Sequence, residues 1–379
     1  MKDSNNKNFR VLDLFCGCGG MSLGAKQAGF EIIAGLDNDK MAIATYRQNF
    51  GEKVGKLVDI NKISPNQIAE ELKLEPEQLE MLIGGAPCQG FSKNVPRKNR
   101  FFDDPRNQLT NKFLEYVEFL KPLVVVMENV AEMKNGFESA YTNEIKERLT
   151  KSGYEVEVKV IYAPDFGVPQ RRRRAFFLAN RLNKKVVFPT PTHSPENNLS
   201  LFEDEKAKYV TVAEAINDLP SLVHGEGKDQ EEYCVSANND FQILMRKNSE
   251  IIHDHVARKL ADKQFERLNS IKAGQGAKDL PEHLKPKSHF SGAYGRLEWN
   301  AIAPTITRWV FHPGSGRFGH PSDVRVITIR EAARLQSFSD DFVFSGSYIQ
   351  KSHQVGNAVP PLIMKSIAEK AKEWLVDAR

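Results

Sequence analysis

The 379-residue sequence predicts an α/β fold: a mostly parallel sheet covered by helices, with an antiparallel edge strand and a second, smaller domain. Three observations predict it. From Phe9 to about Asn180, short β-rich apolar runs alternate with helix-compatible stretches, the rhythm of strands joined by helical crossovers. After Pro189-Thr190-Pro191 that rhythm fails, and the residues up to about His289 are polar and nearly balanced in charge, with 17 Lys and Arg against 18 Asp and Glu over 181–300. Periodic order returns at Ile327. At ~150 residues per domain the length agrees with two or three units.

The first strands are expected at Arg10 to Leu14, Glu31 to Leu36 and Met81 to Gly84, with a weaker one at Lys56 to Val58. Pro122 to Met127, Tyr154 to Tyr162 and Ala175 to Ala179 follow. Between them Met21 to Ala28, Met41 to Asn49, Pro65 to Lys73, Asn107 to Leu120 and Ser139 to Lys151 carry helical periodicity. Only Ala163 to Arg174 separates the last two strands, too little for a helical crossover, so they are read as an antiparallel pair at one sheet edge. Late in the chain, Ile327, Ile329, Ala332, Ala333 and Leu335 line one side of a helix starting near Thr328. Pro360 to Leu375 forms a second, its prolines in the first turn and its stripe of Leu362, Ile363, Ile367, Ala371, Trp374 and Leu375 in need of a partner in the first domain. The chain accordingly divides into 1–189, completed by a C-terminal helix at 355–379; 190–326; and 327–379, which returns to the first domain.

With 40% hydrophobic and 27% charged residues the composition is globular. Apolar runs such as Leu123 to Met127 fall far short of the ~20 residues of a membrane helix, and Met1 to Arg10 lacks the apolar stretch of a secretory signal, so a cytoplasmic protein without membrane partners is expected. Four cysteines with no CxxC pair exclude a disulfide framework and a zinc site. His253 and His255 lack a third ligand nearby and are read as surface residues, and no metal is expected. A net charge of +4 is too mild to claim a nucleic-acid partner by itself.

The segment Asp13-Leu-Phe15-Cys-Gly17-Cys-Gly19-Gly20 follows a strand and opens a helix, which turns backbone N–H groups toward a close-lying ligand. After the second strand come Asp37 and Asp39, at the ~20-residue distance of an acid that accepts from ribose hydroxyls. Ser22 stands where a dinucleotide fold has its third glycine, so a nucleoside without pyrophosphate fits better than a nicotinamide dinucleotide. Gly84-Gly-Ala-Pro87-Cys88-Gln89-Gly-Phe-Ser92 places a cysteine after an apolar strand, where open α/β sheets keep their chemistry. A thiol of ordinary pKa needs cationic help to act as a nucleophile. Lys93, Arg97, Lys98, Arg100 and Arg106 against Asp103 and Asp104 supply it, in a loop suited to a phosphate backbone. Leu123 to Val130 ends in Glu128 and Asn129, a carboxylate whose burial suggests a role, and Gln170 to Arg174 sets four arginines before a strand, where alternation pairs Arg172 with Arg174. A bare βα turn, an inert core cysteine, a strand-end glutamate reaching solvent and a solvated basic edge are the plain alternatives for each motif taken singly.

Taken in order, Asp13 to Gly20, Leu36-Asp-Asn-Asp, Gly85-Ala-Pro-Cys-Gln-Gly-Phe-Ser, Met127-Glu-Asn-Val, Gln170 to Arg174, Arg330-Glu-Ala-Ala-Arg-Leu-Gln-Ser-Phe and Gln354-Val-Gly-Asn-Ala-Val-Pro-Pro resemble the DNA cytosine-C5 methyltransferase family. The resemblance spans nearly the whole chain except about 190–290. It implies a Rossmann-like S-adenosylmethionine-dependent methyltransferase sheet with a target-recognition domain at 190–326, including a hinge. It implies that Phe15 stacks on the adenine, Asp37 holds the ribose and Asp59 meets the adenine amino group, with Gly17, Gly19, Gly20, Pro87, Asn357 and Ala358 completing the cofactor site. Cys88 becomes the nucleophile, Glu128 the acid at cytosine N3, and Arg172 and Arg174 the orienting cations. Gln89, Ser92, Lys93, Arg97, Arg106 and Thr305 fall at DNA-contacting positions, and Phe91 to Arg106 at a lid. The implied reaction adds the Cys88 thiolate to C6 of a flipped-out cytosine and methylates C5, leaving S-adenosylhomocysteine. The implied partner is double-stranded DNA, bound by a monomer that modifies the site of a cognate restriction endonuclease. The Cys-Phe-Thr signature of the family's tRNA-directed branch is absent.

Overall fold

The computed structural model describes residues 8–87, 108–134, 140–195, 206–287 and 292–378. In chain order the first elements are β1 (Arg10–Leu14), α1 (Gly20–Gln27), β2 (Glu31–Asp37), α2 (Lys40–Phe50), β3 (Gly55–Leu57), α3 (Pro65–Leu72) and β4 (Met81–Gly84). Then come α4 (Gln108–Leu120), β5 (Val124–Val130), α5 (Ala140–Lys151), β6 (Glu155–Tyr162), β7 (Gln170–Arg171) and β8 (Arg173–Asn180). The middle holds β9 (His193–Ser194), β10 (Ala207–Lys208), α6 (Val212–Ile216), β11 (Gly227–Glu232), α7 (Asp240–Arg246), β12 (Ile251–Val256), α8 (Asp262–Asn269) and β13 (Ala303–Pro304). Three helices end the chain: α9 (Ile329–Leu335), α10 (Tyr348–Asn357) and α11 (Pro361–Asp377).

Two compact units result. The first takes the described residues of 1–162, 173–190 and 361–379, the second those of 163–172 and 191–360. This differs from the division expected from the sequence, because 163–172 and 327–360 join the middle segment.

The first unit is built on a seven-stranded sheet of order β3-β2-β1-β4-β5-β8-β6. All pairings from β3 to β5 are parallel, and β8 runs antiparallel to both β5 and β6. The predicted antiparallel pair therefore lies at one edge, with β6 outermost. Strand order reverses about β1 and β4, the switch point where open α/β sheets bind ligands beyond their carboxyl ends. Helix starts obey local capping chemistry: Asp39 accepts from the backbone of Met41 and Ala42 at α2, and Ser64 and Gln67 form a reciprocal capping box at α3. Asp39, considered above as a ribose acid, is thus engaged in capping.

The C-terminal helix α11 finds its partner on α1. Ile363, Met364, Ile367, Ala371, Trp374 and Leu375 are buried along its stripe. The contact is close enough that a Cβ on Gly24 would lie 2.3 Å from the Pro361 carbonyl oxygen and 2.7 Å from the Lys365 nitrogen. Both obstacles are backbone, so neither can step aside.

The second unit contains short strand pairs, β9 with β10, β11 with β12 and β7 with β13, and its interior is charged. Arg325, Arg330 and Arg334 are at most 1% exposed. Arg325 makes a bidentate pair with Glu331 at 2.7 and 2.8 Å, and Arg334 bridges Asp218 of the segment after α6 to Asp340. Helix α9 is therefore buried on every side, and its polar face as well as the predicted apolar stripe lies inside. His255 is fully buried, bonded to the Thr328 hydroxyl at 3.1 Å and the Pro220 carbonyl at 2.8 Å, which corrects the surface position expected from the sequence. Both ring nitrogens have a hydrogen-bond partner there, so burial leaves neither unsatisfied.

Gly24→Ala should lower stability even though Ala is the better helix former by about 1 kcal/mol, because overpacking against immovable backbone costs ~1–3 kcal/mol; thermal denaturation reads the sign. A pH effect follows from His320, which burial first, opposed by the nearby Glu331, shifts from 6.5 down to about 4. The unfolded chain binds a proton there that the folded chain refuses, so stability is complete above pH 6.5 and declines as pH falls toward 4. His320→Gln should flatten the melting temperature against pH across that window.

Candidate active site

The site is set by one row of the sheet. Leu14 at the end of β1 pairs with Gly84 at the end of β4, and Gly84 pairs with Met127 of β5. Phe15, Gly85 and Glu128 are the residues that follow in each strand. A Cβ on Gly84 would lie 2.4 Å from the Leu14 carbonyl oxygen, so only glycine lets these strand ends close up. Strand β5 continues past the end expected from the sequence: Glu128 and Asn129 are its fifth and sixth residues, held by β8 opposite Phe176 and Ala175. Beyond Gly84, β4 no longer covers the other edge of β5. There the Asn129 amide donates to the Ala86 carbonyl at 3.0 Å, and a Cβ on Gly85 would come within 3.2 Å of Glu128 Oε2. Arg174 of β8 donates through Nε to Glu128 Oε1 at 2.9 Å, giving a charge-assisted pair that fixes the carboxylate beside the chain leading to Cys88.

The glycine turn is braced from beneath. Ser22 donates to Asp13 Oδ2 at 2.6 Å and lies 2.6 Å from the Tyr46 hydroxyl, all three buried. Aromatic rings fill the space that side chains on Gly19 and Gly35 would need: Phe50 lies 2.4 Å and Tyr46 3.1 Å from the would-be Cβ of Gly19, and Tyr46 2.2 Å from that of Gly35. Above the turn, Gly17 amide donates to Asp37 Oδ2 at 2.8 Å, while Asp37 Oδ1 accepts from Asp39 at 2.9 Å. A Cβ on Gly17 would meet nothing within 4 Å, so this side of the turn is open. Phe15 sits at φ 59°, a conformation rare for an aromatic residue and costing ~1–3 kcal/mol, of the kind held at ligand clamps.

These residues fit a nucleoside cofactor. An aromatic ring, an open glycine and a carboxylate with lone pairs left after two backbone bonds are suited to adenine and ribose. Ser22, engaged below the turn, stands where a dinucleotide site needs glycine. Asp59 accepts from the amide and side chain of Asn61 at 3.1 and 3.2 Å and faces Lys62 at 3.7 Å. Gly19 caps α1 in the left-handed conformation, Gly20 is the first residue of that helix, and Pro87 is exposed.

The remaining predicted residues fall elsewhere. Arg172 belongs to the second unit and Arg174 to the first; the strand breaks between Arg171 and Arg173, so the run is not one alternating strand. Arg172 is 2% exposed and donates to the carbonyls of Ile306 and Gly356, both at 3.1 Å. Thr305 donates to the Arg171 carbonyl at 2.6 Å. Asn357 is exposed at the end of α10, and Ala358 follows as its C-cap. Cys88, Gln89, Ser92, Lys93, Arg97 and Arg106, with the expected lid, lie outside the described residues. Sequence reasoning missed Asn129 as a clamp, although it stands beside Glu128 in the motif, and missed Ser22 and Tyr46 as the brace, which leave no local signal. Among the described cysteines, burial first and Asp13 second push the Cys16 thiol far up, and burial lifts Cys18 to about 12, so neither serves as a thiolate.

A parallel sheet with a braced glycine turn at its switch point, an acid after the second strand and a clamped carboxylate at the fifth defines an α/β group-transfer enzyme using a nucleoside cofactor. Residues 9–373 match the model of the C-5 cytosine-specific DNA methylase family, and the chain belongs to that family. It is 34% identical over 381 residues to the type II methyltransferase M.DdeI of Desulfomicrobium norvegicum, covering 95% of this chain and 88% of that protein. It is likewise 34% identical to M1.HphI of Haemophilus parahaemolyticus, covering 94% and 85%. Among solved structures, one described as a DNA modification methyltransferase encoded within a prophage (E. coli) aligns over 97% of this chain and 100% of its own, with TM-score 0.76 and 27% identity. The S. pombe Dnmt2 methyltransferase shares the fold, with TM-score 0.61 at 18% identity over 97% and 99% of the two chains. The chain is thus an enzyme of the DNA (cytosine-5)-methyltransferase class with the S-adenosylmethionine-dependent methyltransferase fold. Among the described residues, no helix is long and apolar enough to cross a membrane.

Burial first, countered by the Ser22 hydroxyl, raises Asp13 from 3.8 to about 8. The folded chain then holds a proton the unfolded chain has released, so this group's contribution falls as pH rises from 3.8 toward 8. Asp13→Asn should remove that slope, which chemical denaturation at a series of pH values measures.

Proposed function

We propose that this enzyme transfers a methyl group from S-adenosylmethionine to C5 of a cytosine flipped out of duplex DNA, through a transient bond between Cys88 and C6, and that it is the modification enzyme of a type II restriction–modification system. The single observation that carries the reading is the row Leu14, Gly84, Met127. It sets Phe15 of the cofactor turn, the start of the cysteine segment and Glu128 side by side at the carboxyl edge. The relatives M.DdeI and M1.HphI, both type II methyltransferases, support the biological role.

Phe15, Gly17, Gly19, Gly20, Asp37, Asp59, Pro87, Asn357 and Ala358 would hold the cofactor, which supplies an electrophilic methyl group. The chain's own task is to make C5 of cytosine nucleophilic. Cys88, as thiolate, adds to C6; the C5–C6 double bond opens and its electron pair moves onto C5 and toward N3. Glu128 shares a proton at N3 and so favours that addition, and Arg174 keeps the carboxyl oriented. Once C5 carries the methyl group, its hydrogen leaves as a proton to a base and the sulfur departs from C6, which restores the double bond and the free thiol. C6 is out of reach inside a stacked helix, so the base must leave the duplex, at a cost of a few kcal/mol. Gln89, Ser92, Lys93, Arg97, Arg106 and Thr305 would offset that cost through contacts to the DNA, and the second unit would read the flanking bases in the grooves. The protein would act as a monomer in the cytoplasm, beside an endonuclease that cuts the same site unmethylated.

Incubation with tritiated S-adenosylmethionine and duplex DNA should place label on DNA, and bisulfite sequencing should find it on one cytosine of a short sequence. Cys88→Ser should abolish transfer while cofactor binding persists. Glu128→Gln should lower kcat by about 10²- to 10⁴-fold. Label on RNA alone, or full activity in Cys88→Ser, defeats the reading.

A further inference from the structure

Several arginines and lysines inside the second unit are matched by carboxylates: Arg325 by Glu331, Arg334 by Asp218 and Asp340, Lys351 by Asp254. Two that are not so matched, Lys278 and Arg317, share one cavity. It has a volume of about 520 Å³, is lined by Lys278, Thr305, Thr307, Ser315, Arg317 and Phe318 among others, and among the described residues no carboxylate lines it. Among the described residues, neither Lys278 nor Arg317 forms an ion pair.

The two cations differ in how they are held. Arg317 donates through Nη1 to the carbonyls of Gly274, Gln275 and Arg296, the last two at 3.0 and 3.2 Å. Those bonds fix the guanidinium without cancelling its charge. Lys278, which also lines the cavity, is exposed and adjustable. The hydroxyls sort themselves by what they already do. Thr305 gives its proton to Arg171, and Ser315 gives its own to the carbonyls of Trp309 and His312. Thr307 instead accepts from the Trp309 amide at 3.3 Å, which leaves its proton for an acceptor in the cavity. A rigid cation, a mobile cation and one hydroxyl donor, with no anion opposing them, select a ligand that is negative and rich in acceptor oxygens. The cavity is wider than a tetrahedral anion needs, and Phe318 gives it an apolar wall on which a sugar can rest.

We propose that this cavity seats a backbone phosphodiester of the substrate DNA, its oxygens taken by Lys278, Arg317 and Thr307. This rests on the reading of the chain as a DNA-modifying enzyme and adds a phosphate anchor on the second unit, separate from the cysteine loop. Such an anchor fixes the register of the strand and carries no sequence information.

The test is the salt dependence of binding to a fluorescent mixed-sequence duplex between about 50 and 200 mM salt, where each phosphate contact adds ~0.9 to the slope of log affinity against log salt. Lys278→Ala should weaken binding about three- to tenfold, equally for methylatable and unrelated duplexes, and lower the slope by about one. Lys278→Arg should keep the slope, and Thr307→Val should weaken binding without changing it, while S-adenosylmethionine affinity stays the same in all three. A Lys278→Ala enzyme with the wild-type affinity and slope overturns the inference, even if it has lost a stabilisation by inorganic phosphate; that pattern would make the cavity a site for free anions. Methyl transfer by the wild type, assayed alongside, separates the two failures: no transfer to DNA defeats the proposed function, whereas transfer with an unchanged slope defeats only the anchor.

Discussion

The absence of a side chain at Gly84 governs the active edge of this enzyme. Because the Leu14 carbonyl approaches to where a Cβ would sit, β1 and β4 end in the same row, and β5, paired to β4, continues three residues beyond it to Val130. The glycine turn leaves from the first of these strands, the segment toward Cys88 from the second, and the third carries the carboxylate of Glu128. A larger residue at Gly84 would not merely crowd the core. It would push apart the strand that carries the glycine turn and the strand that leads toward Cys88. Asn129 extends the same constraint outward, since its bond to Ala86 holds the chain after β4 against β5 when ladder pairing has stopped.

Beneath the turn, the brace of Tyr46, Ser22 and Asp13 explains how a loop rich in glycine is kept in one shape. Glycine permits the left-handed conformations at Gly17 and Gly19, but it also gives the unfolded turn much freedom. The Phe50 and Tyr46 rings against Gly19 and the Tyr46 ring against Gly35 restrict that freedom sterically, and the chain of two 2.6 Å hydrogen bonds ties Tyr46 to β1. Ser22 thus does two things at once: it carries the middle of the brace, and by standing where a third glycine would be it denies the turn to a pyrophosphate. The strain at Phe15 is tolerable because this scaffold is over-determined on both sides.

Much of this was legible from residue order. Hydrophobic periodicity located β1, β2, β4, β6 and all the helices of the first unit to within a residue or two. The motifs placed Phe15 directly after β1 and Asp37 at the end of β2, whereas Glu128 lies inside β5. What could not be read was long-range. The continuation of β5 through Glu128 depends on β8, which follows over forty residues later. Asp39 resembled a ligand acid and is a helix cap, since one carboxylate at that position suits either. The break in the arginine run is set by which unit each residue joins, so alternation along the sequence misled at Arg172.

The largest departure between sequence and structure concerns the second unit, and its cause is electrostatic. The middle segment builds an apolar cluster around Leu260, Leu268, Ile271, Leu280 and Leu284. The rest of its interior is completed by Arg325 and by Arg330 and Arg334 of a late segment whose apolar stripe suggested a return to the first sheet. Arg330 donates to the carbonyls of His253, Ser339 and Phe342, at 2.8, 3.1 and 2.7 Å, so one side chain gathers β12 and the loop after α9. Asp340, which burial would push up, is instead held below its ordinary range by Arg334, and Glu331 by Arg325 in the same way. Buried pairs of this kind contribute little net stability compared with an apolar core, but removing one partner costs ~3–5 kcal/mol because the other is left charged and dry. The second unit is thus held together in part by arginines on α9 and its flanks. That is why the late segment clusters with the middle of the chain and why an apolar count alone assigned it to the wrong neighbour.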